Sequence, residues 1–235
     1  MDDGLFLGEL VGQNESDQNP LKITILKIDP AKHSFSLLCA SELKGEKLTI
    51  KERAQKFNLI AAINAGMYQT DELTSVGYMK NFNHVNNPKV NGYKAVLAFN
   101  RIDQSVPPIQ IIDRECQDYA ALRSKYRTLF QGIRMISCEG KNVWKQQPDK
   151  WSTAAVGIDK EGNALFIFCQ TPSSVHDLIN VLLALPISIH NAMYLEGGPP
   201  ASFYLVDAGV ELKLQGFPNF DFTGPIPNVL GVAAK

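Results

Sequence analysis

Residues 152–168 read STAAVGIDKEGNALFIF, and the chain then runs through HDLINVLL (176–183) into NAMYLEGGPPASFYL (191–205). Thr153 to Asp159 and Ala164 to Gln170 are apolar, β-rich runs on either side of Lys160-Glu161-Gly162-Asn163. Gly and Asn adopt positive φ at little cost, so this stretch reads as a hairpin. Ser174, three residues before Asp177, resembles a capping box opening an amphipathic helix with Leu178, Ile179, Leu182 and Leu183, which Pro186 ends. Met193 to Leu195 is then a short strand running into Glu196-Gly197-Gly198. A hairpin, a helix and a strand in succession argue for a mixed α and β domain.

The flanking sequence extends this pattern. Leu21 to Asp29 and His33 to Cys39 are β-rich runs separated by Pro30-Ala31-Lys32 and read as a second hairpin. Thr49 to Phe57 places Ile50, Ala54 and Phe57 at helical spacing and leads into Leu59 to Asn64, an apolar run that reads as a buried strand ending in a glycine turn. Tyr93 to Phe99 and Ile109 to Ile112 read as strands. The spacing of Tyr119, Leu122, Tyr126 and Leu129 predicts a helix within Asp113 to Phe130, after which Gln131 to Cys138 returns to strand. Phe203 to Val206 and Val229 to Ala233 close the chain. The expected class is α+β, a single domain of mixed β-sheet with a few packed helices: residues 20–235, preceded by an N-terminal extension at 1–19. No Pro/Gly/Ser-rich linker or charge block marks a second boundary.

Composition narrows the functions. Of 235 residues, 45% are hydrophobic and 20% charged, enough apolar mass for one large core. Lys plus Arg total 23 against 24 acidic residues, a formal net charge of -1. No field would gather a polyanion, so nucleic acid is not an expected partner. The longest apolar runs, such as Leu165 to Cys169 and Val181 to Leu185, fall far short of the ~20 residues that span a bilayer. Met1-Asp2-Asp3-Gly4 lacks the basic and apolar regions of a signal peptide. The four cysteines (39, 116, 138 and 169) show no CxxC or metal-ligand spacing and read as buried free thiols, with a disulfide as the alternative in an exported protein. His33, His84 and His190 form no metal motif, and neither a dinucleotide fingerprint nor a P-loop is present. No cofactor is therefore expected; a divalent cation beside a phosphate is compatible with the sequence but not signalled.

Two strand exits concentrate polar groups and glycines. The first, Asn64-Ala65-Gly66-Met67-Tyr68 with Ser75-Val76-Gly77-Tyr78, offers an amide donor and acceptor and lets backbone approach a ligand, or forms a plain turn. The second, Glu196-Gly197-Gly198-Pro199-Pro200, sets a carboxylate between a buried strand and two glycines, where partial desolvation tunes its pKa or where it only accepts backbone hydrogen bonds from its own turn. Arg134 within an apolar strand either anchors an internal carboxylate or faces an anionic ligand. His176 sits in a first helical turn, where the dipole favours the neutral imidazole as a hydrogen-bonding group, or is a plain surface histidine. Ser152 and Thr153 offer hydroxyls to a phosphate or to their own turn.

These segments together resemble the phosphodiester glycosidase family: INAGMY (63–68), SVGYMKN (75–81), FQGIRMI (130–136), the hairpin at 152–168, and the helix and strand at 176–205, in that order. The resemblance spans roughly residues 20 to 233. It implies a mixed α and β fold whose loops around Asn64 and Glu196 meet in one cleft, and hydrolysis of the bond between an anomeric carbon and a phosphate. It also implies a periplasmic or secreted location and a glycosyl phosphodiester or envelope glycan as partner. Carried over by position, the catalytic set is Glu196, His176 and Asn64, and the substrate or phosphate set is Arg134, Thr153, Gly66, Gly77, Gly197 and Gly198. Asp177, Glu139 and Asp71 are the options for a second carboxylate. The chain departs from the family in carrying Glu196 where Asp is usual, and Pro199-Pro200 where small flexible residues are typical. A non-catalytic carbohydrate-binding module on the same fold is the competing expectation.

Overall fold

A computed structural model describes residues 3–13, 20–216 and 224–235. The strands are β1 (Leu5–Gly12), β2 (Leu21–Ile28), β3 (His33–Cys39), β4 (Ala61–Asn64), β5 (Met79–Asn81), β6 (His84–Asn87), β7 (Ala95–Arg101) and β8 (Ile109–Asp113), then β9 (Tyr126–Ile136), β10 (Trp151–Asp159), β11 (Ala164–Ser173), β12 (Ile189–Gly197), β13 (Ser202–Asp207), β14 (Val210–Gln215) and β15 (Asn228–Ala234). Three helices intervene: α1 (Ile50–Lys56), α2 (Tyr119–Arg123) and α3 (Val175–Ala184).

Two antiparallel sheets carry the fold. A ten-stranded sheet runs β1-β2-β11-β10-β12-β9-β5-β6, with β7 joining at β9 and β8 at β7. A five-stranded sheet runs β14-β13-β4-β15-β3. Leu26, Phe166, Ala154 and Met193 from the first meet Leu37, Ile63, Phe203 and Leu230 from the second in one buried cluster between them. The outer face of the large sheet is covered by α3 through Leu178, Ile179 and Leu182 packed with Ile167 and Ala155. The outer face of the small sheet takes Ile50 and Ala54 of α1. The layering is therefore helix, sheet, sheet, helix, as expected when each element has one apolar face to bury.

The hairpin β10–β11 pairs as its sequence predicts, Ile158 opposite Ala164, with Gly162 at φ +89° in the turn. At α3, Ser174 Oγ accepts from Asp177 N at 3.1 Å; the Asp177 carboxylate instead takes Gln146 Nε2 at 3.0 Å.

Three expectations are corrected. The runs 21–29 and 33–39 are strands but not a hairpin: β2 pairs with β1 and β11 in the large sheet, while β3 pairs with β15 in the small one. The turn between them carries the chain from one sheet to the other. The helix within 113–130 shrinks to α2, because Tyr126, Thr128 and Phe130 belong to β9, which β7 pairs along most of its length. Lastly, Cys116 and Cys138 form a disulfide, leaving Cys39 and Cys169 as buried free thiols. Cys116 follows β8 and Cys138 follows β9, neighbours in space that lie 22 residues apart in sequence. Residues 5–12 of the N-terminal segment supply β1, an edge strand on β2.

Candidate functional site

β12 leaves the large sheet with a bulge. Tyr194 lies opposite Ala155 but Glu196 lies opposite Ala154, so Leu195 is an extra residue. Directly opposed residues share a face. Ala154 faces the core between the sheets, so the bulge turns Glu196 to that side. There Glu196 is 9% exposed, and its Oε1 accepts from Gly197 N at 3.0 Å. Burial raises its pKa from 4.5 to about 7, with the Gly197 N–H opposing the shift. Tyr68 and Tyr194 flank it: burial first, and then the Glu196 charge, push both phenols upward.

Asn64 ends β4 and is fully buried. Its Nδ2 donates to Pro200 O at 3.0 Å, and its Oδ1 accepts from Ser202 N at 2.6 Å. Both halves of the amide are spent tying the β4 exit to the loop after Glu196. Pro200 O also accepts from Ser202 Oγ at 3.0 Å, so the double proline presents a carbonyl to this brace. A stiff loop with its acceptor fixed in place limits the movement of the carboxylate ahead of it.

The glycines at the two exits have packing reasons. A Cβ on Gly197 would stand 2.1 Å from the Tyr194 hydroxyl, so only glycine lets that phenol lie along the strand. Gly198 has φ +67° and its N–H donates to Ser152 O at 2.9 Å. A Cβ on Gly77 would stand 3.0 Å from the Gln131 carbonyl oxygen, and one on Gly66 3.8 Å from the same atom. Gln131 is the organising residue here and was not singled out from sequence. Its Oε1 accepts from Tyr78 N and Asn91 N, both at 3.1 Å, while its Nε2 donates to Asn91 O at 3.1 Å and Tyr93 O at 2.6 Å. The signal available was an amide between Leu129-Phe130 and Gly132-Ile133, which has to find partners when buried.

Arg134, Thr153 and His176 make no hydrogen bond to Glu196 among the described residues. Arg134 Nη1 donates to both oxygens of buried Asp113, at 2.9 and 3.1 Å. Asp113 also accepts from Glu115 N and Cys138 N. Of the two roles open to Arg134, the internal carboxylate is therefore occupied; Nε and Nη2 make no hydrogen bond among the described residues. Thr153 is buried between Cys169 and Gly197, its partners on the two neighbouring strands, on the α3 side of the sheet, and its Oγ1 has no hydrogen-bond partner among the described residues. His176 stands on α3, its Nδ1 3.5 Å from Asp177 Oδ1 and 3.4 Å from Asn180 Nδ2.

The other carboxylates considered differ from Glu196. Glu139 pairs with Lys141 and Asp71 accepts from Thr74 and Leu73, both at the surface and both held below the usual carboxylate range by those hydrogen bonds. Asp177 is buried at the start of α3. One cluster, Asp113 with Cys116 and Cys138, has the residue types of a soft-metal site. Both sulfurs are bonded to each other, however, and Asp113 holds Arg134, so this set does not present itself as a ligand shell.

The arrangement thus offers a desolvated carboxyl whose pKa burial raises to about 7, flanked by two phenols, on a turn braced by Asn64. Such a group can stabilise a developing positive charge or exchange a proton. Residues 57–233 match a family model described as phosphodiester glycosidase. The fold is similar to the catalytic domain of a zebrafish N-acetylglucosamine-1-phosphodiester alpha-N-acetylglucosaminidase auto-inhibited by its pro-peptide (15% identity, TM-score 0.71, covering 98% of this chain and 82% of that one). It is also similar to a hypothetical protein from Synechocystis (13% identity, TM-score 0.70, covering 99% of this chain and 62% of that one). No curated protein sequence matches.

Proposed function

The chain belongs to the phosphodiester glycosidase family, and from that premise we propose that it hydrolyses the glycosidic C–O bond of a sugar 1-phosphodiester, releasing free sugar and a phosphomonoester. The observation that carries the reading is Glu196: buried, raised to about 7, and set by a bulge at the end of β12. In the proposed reaction the anomeric C–O bond breaks and its electron pair leaves on the phosphate oxygen. Positive charge develops on the anomeric carbon, water adds there, and the water proton is lost to solvent. Phosphate leaves readily without protonation, so the working form of Glu196 is the carboxylate, stabilising the cationic carbon. Arg134, with Nε and Nη2 uncommitted, is the proposed cationic contact for the phosphate, while Asn64 acts as a positioning residue.

The Cys116–Cys138 disulfide supports an oxidising compartment, and with it the periplasmic or secreted setting proposed for the chain. The direct test is to incubate the protein with hexose and N-acetylhexosamine 1-(methyl phosphates) in ¹⁸O-water. Label in the released sugar is the expected result. Label in the phosphate would mean P–O cleavage, and glycan binding without any release would leave the binding-module reading in its place.

A further inference from the structure

Arg134 lies near the end of β9, where the sheet no longer holds it on one side. β7 pairs with β9 only as far as Gly132, and β8 pairs with β7 alone. Asp113, the last residue of β8, nevertheless reaches Arg134, so here the two strands are joined through side chains and not by a backbone ladder. Both oxygens of Asp113 take the same nitrogen, Nη1, at 2.9 and 3.1 Å. Nε and Nη2 make no hydrogen bond among the described residues. Nε–H and one Nη2–H lie side by side and form the fork that fits two oxygens of a phosphate.

Asp113 is itself held from several directions. Its side chain is 1% exposed; Oδ1 accepts from Glu115 N and Oδ2 from Cys138 N, both at 3.0 Å. Its carbonyl accepts from Cys116 N at 3.0 Å and Gln117 N at 2.9 Å, and its N–H donates to Gln117 Oε1 at 2.9 Å. Cys116 and Cys138 thus each donate a backbone N–H to Asp113, and their disulfide ties the turn after β8 to the segment after β9. We propose that Asp113, locked by the Cys116–Cys138 bond, is the positioning residue that holds Arg134 by Nη1 and keeps its Nε–Nη2 fork open to the substrate phosphate. A partly exposed arginine would otherwise spread over many rotamers, and a guanidinium fixed before binding loses less entropy on meeting its anion. The assignment rests on the glycosyl phosphodiester reading for its substrate, but it concerns affinity and can fail separately.

The test uses Glu196→Gln protein, so that binding is measured without turnover, titrated calorimetrically with hexose and N-acetylhexosamine 1-(methyl phosphates). Arg134→Ala should weaken binding about tenfold or more and Asp113→Asn about fivefold or more, while Asp113→Asn added to Arg134→Ala should cost nothing further. A residue acting only on the general structure would cost the same in both backgrounds. The disulfide gives a second arm that leaves Asp113 and Arg134 chemically intact, and it carries the test if Asp113→Asn does not fold. The bond is removed by Cys116→Ser with Cys138→Ser, or opened to two thiols by dithiothreitol, which supplies the two electrons and becomes its own cyclic disulfide; Cys116 is exposed to such a reagent. Either form, assayed below its melting temperature, should also bind about fivefold more weakly or worse, and only when Arg134 is present. Unchanged affinity in Asp113→Asn or in the opened protein, equal losses with and without Arg134, or no saturable binding to the parent overturns the proposal. Sugar release by the wild type with a KM that Arg134→Ala leaves unchanged sinks the positioning role and leaves the hydrolase reading standing. Coupled dependence of binding on Asp113 and Arg134 in a protein whose wild type releases no sugar does the reverse.

Discussion

Glu196 has a consequence for stability as well as chemistry. Its folded pKa lies above its unfolded value, so below about pH 4.5 the carboxyl is protonated in both states and burial costs nothing extra. Between about pH 4.5 and 7 the unfolded chain ionises this carboxyl while the folded state keeps it protonated, so stability falls across that window and levels off above it. The loss is on the order of a few kcal/mol. Glu196→Gln removes this dependence: urea denaturation should give near-equal stabilities at pH 5 and a more stable variant at pH 8.5. A constant difference between the two proteins across that range would contradict a buried, uncompensated carboxyl. At this scale the sequence was legible where one residue's neighbours decide its environment, as for Glu196 between an apolar strand and two glycines. It was not legible where the partner is distant: Asn64 is spent on Pro200 and Ser202, 136 and 138 residues away, and Arg134 on Asp113, 21 residues away.

The elements around the site make their own demands. The bulge in β12 and the missing Cβ at 197 let Tyr194 lie along the strand. Gly197→Ala should therefore destabilise the protein by about 1–3 kcal/mol through overpacking, and adding Tyr194→Phe, which removes the clashing oxygen, should recover much of that loss. Urea denaturation of the two variants checks this; an equal loss in the double variant would place the strain elsewhere. Asn64→Ala breaks both ties across the brace, and about 2–4 kcal/mol of stability should go with them, together with sugar release. Calorimetric melting read beside turnover checks the pair, and a variant melting like wild type would contradict the brace. The β10–β11 hairpin and α3 were readable because turn and cap residues act locally. The misassigned 21–39 hairpin and the overlong helix before β9 share one cause: each strand found its partner outside the local window, β3 with β15 and the first half of β9 with β7 and β5, and long-range pairing overrides local spacing.

On the scale of the molecule, two stacked sheets bring the end of β4 to the loop that follows β12, although Asn64 and Pro200 are 136 residues apart. The mixed composition and the order of elements conveyed the class, but not the division of strands between sheets, which depends on pairings that no local window contains. The disulfide was hidden for the same reason. Thiol titration of the unfolded, unreduced protein should find two of the four cysteines free, and four would contradict the Cys116–Cys138 bond. Closing a 22-residue span, the bond should contribute about 3 kcal/mol, lost on reduction.

Whether the Glu196 carboxylate performs glycosyl phosphodiester hydrolysis is decided by the pH dependence of kcat/KM for sugar release from a sugar 1-(methyl phosphate). Wild type should show a rate rising through an ionisation near pH 7, and Glu196→Gln should be slower by about 100-fold or more with that ionisation gone. A rate that falls through the same pH would make Glu196 a proton donor instead of a charged stabiliser. Full turnover per folded molecule in Glu196→Gln would remove it from the chemistry altogether.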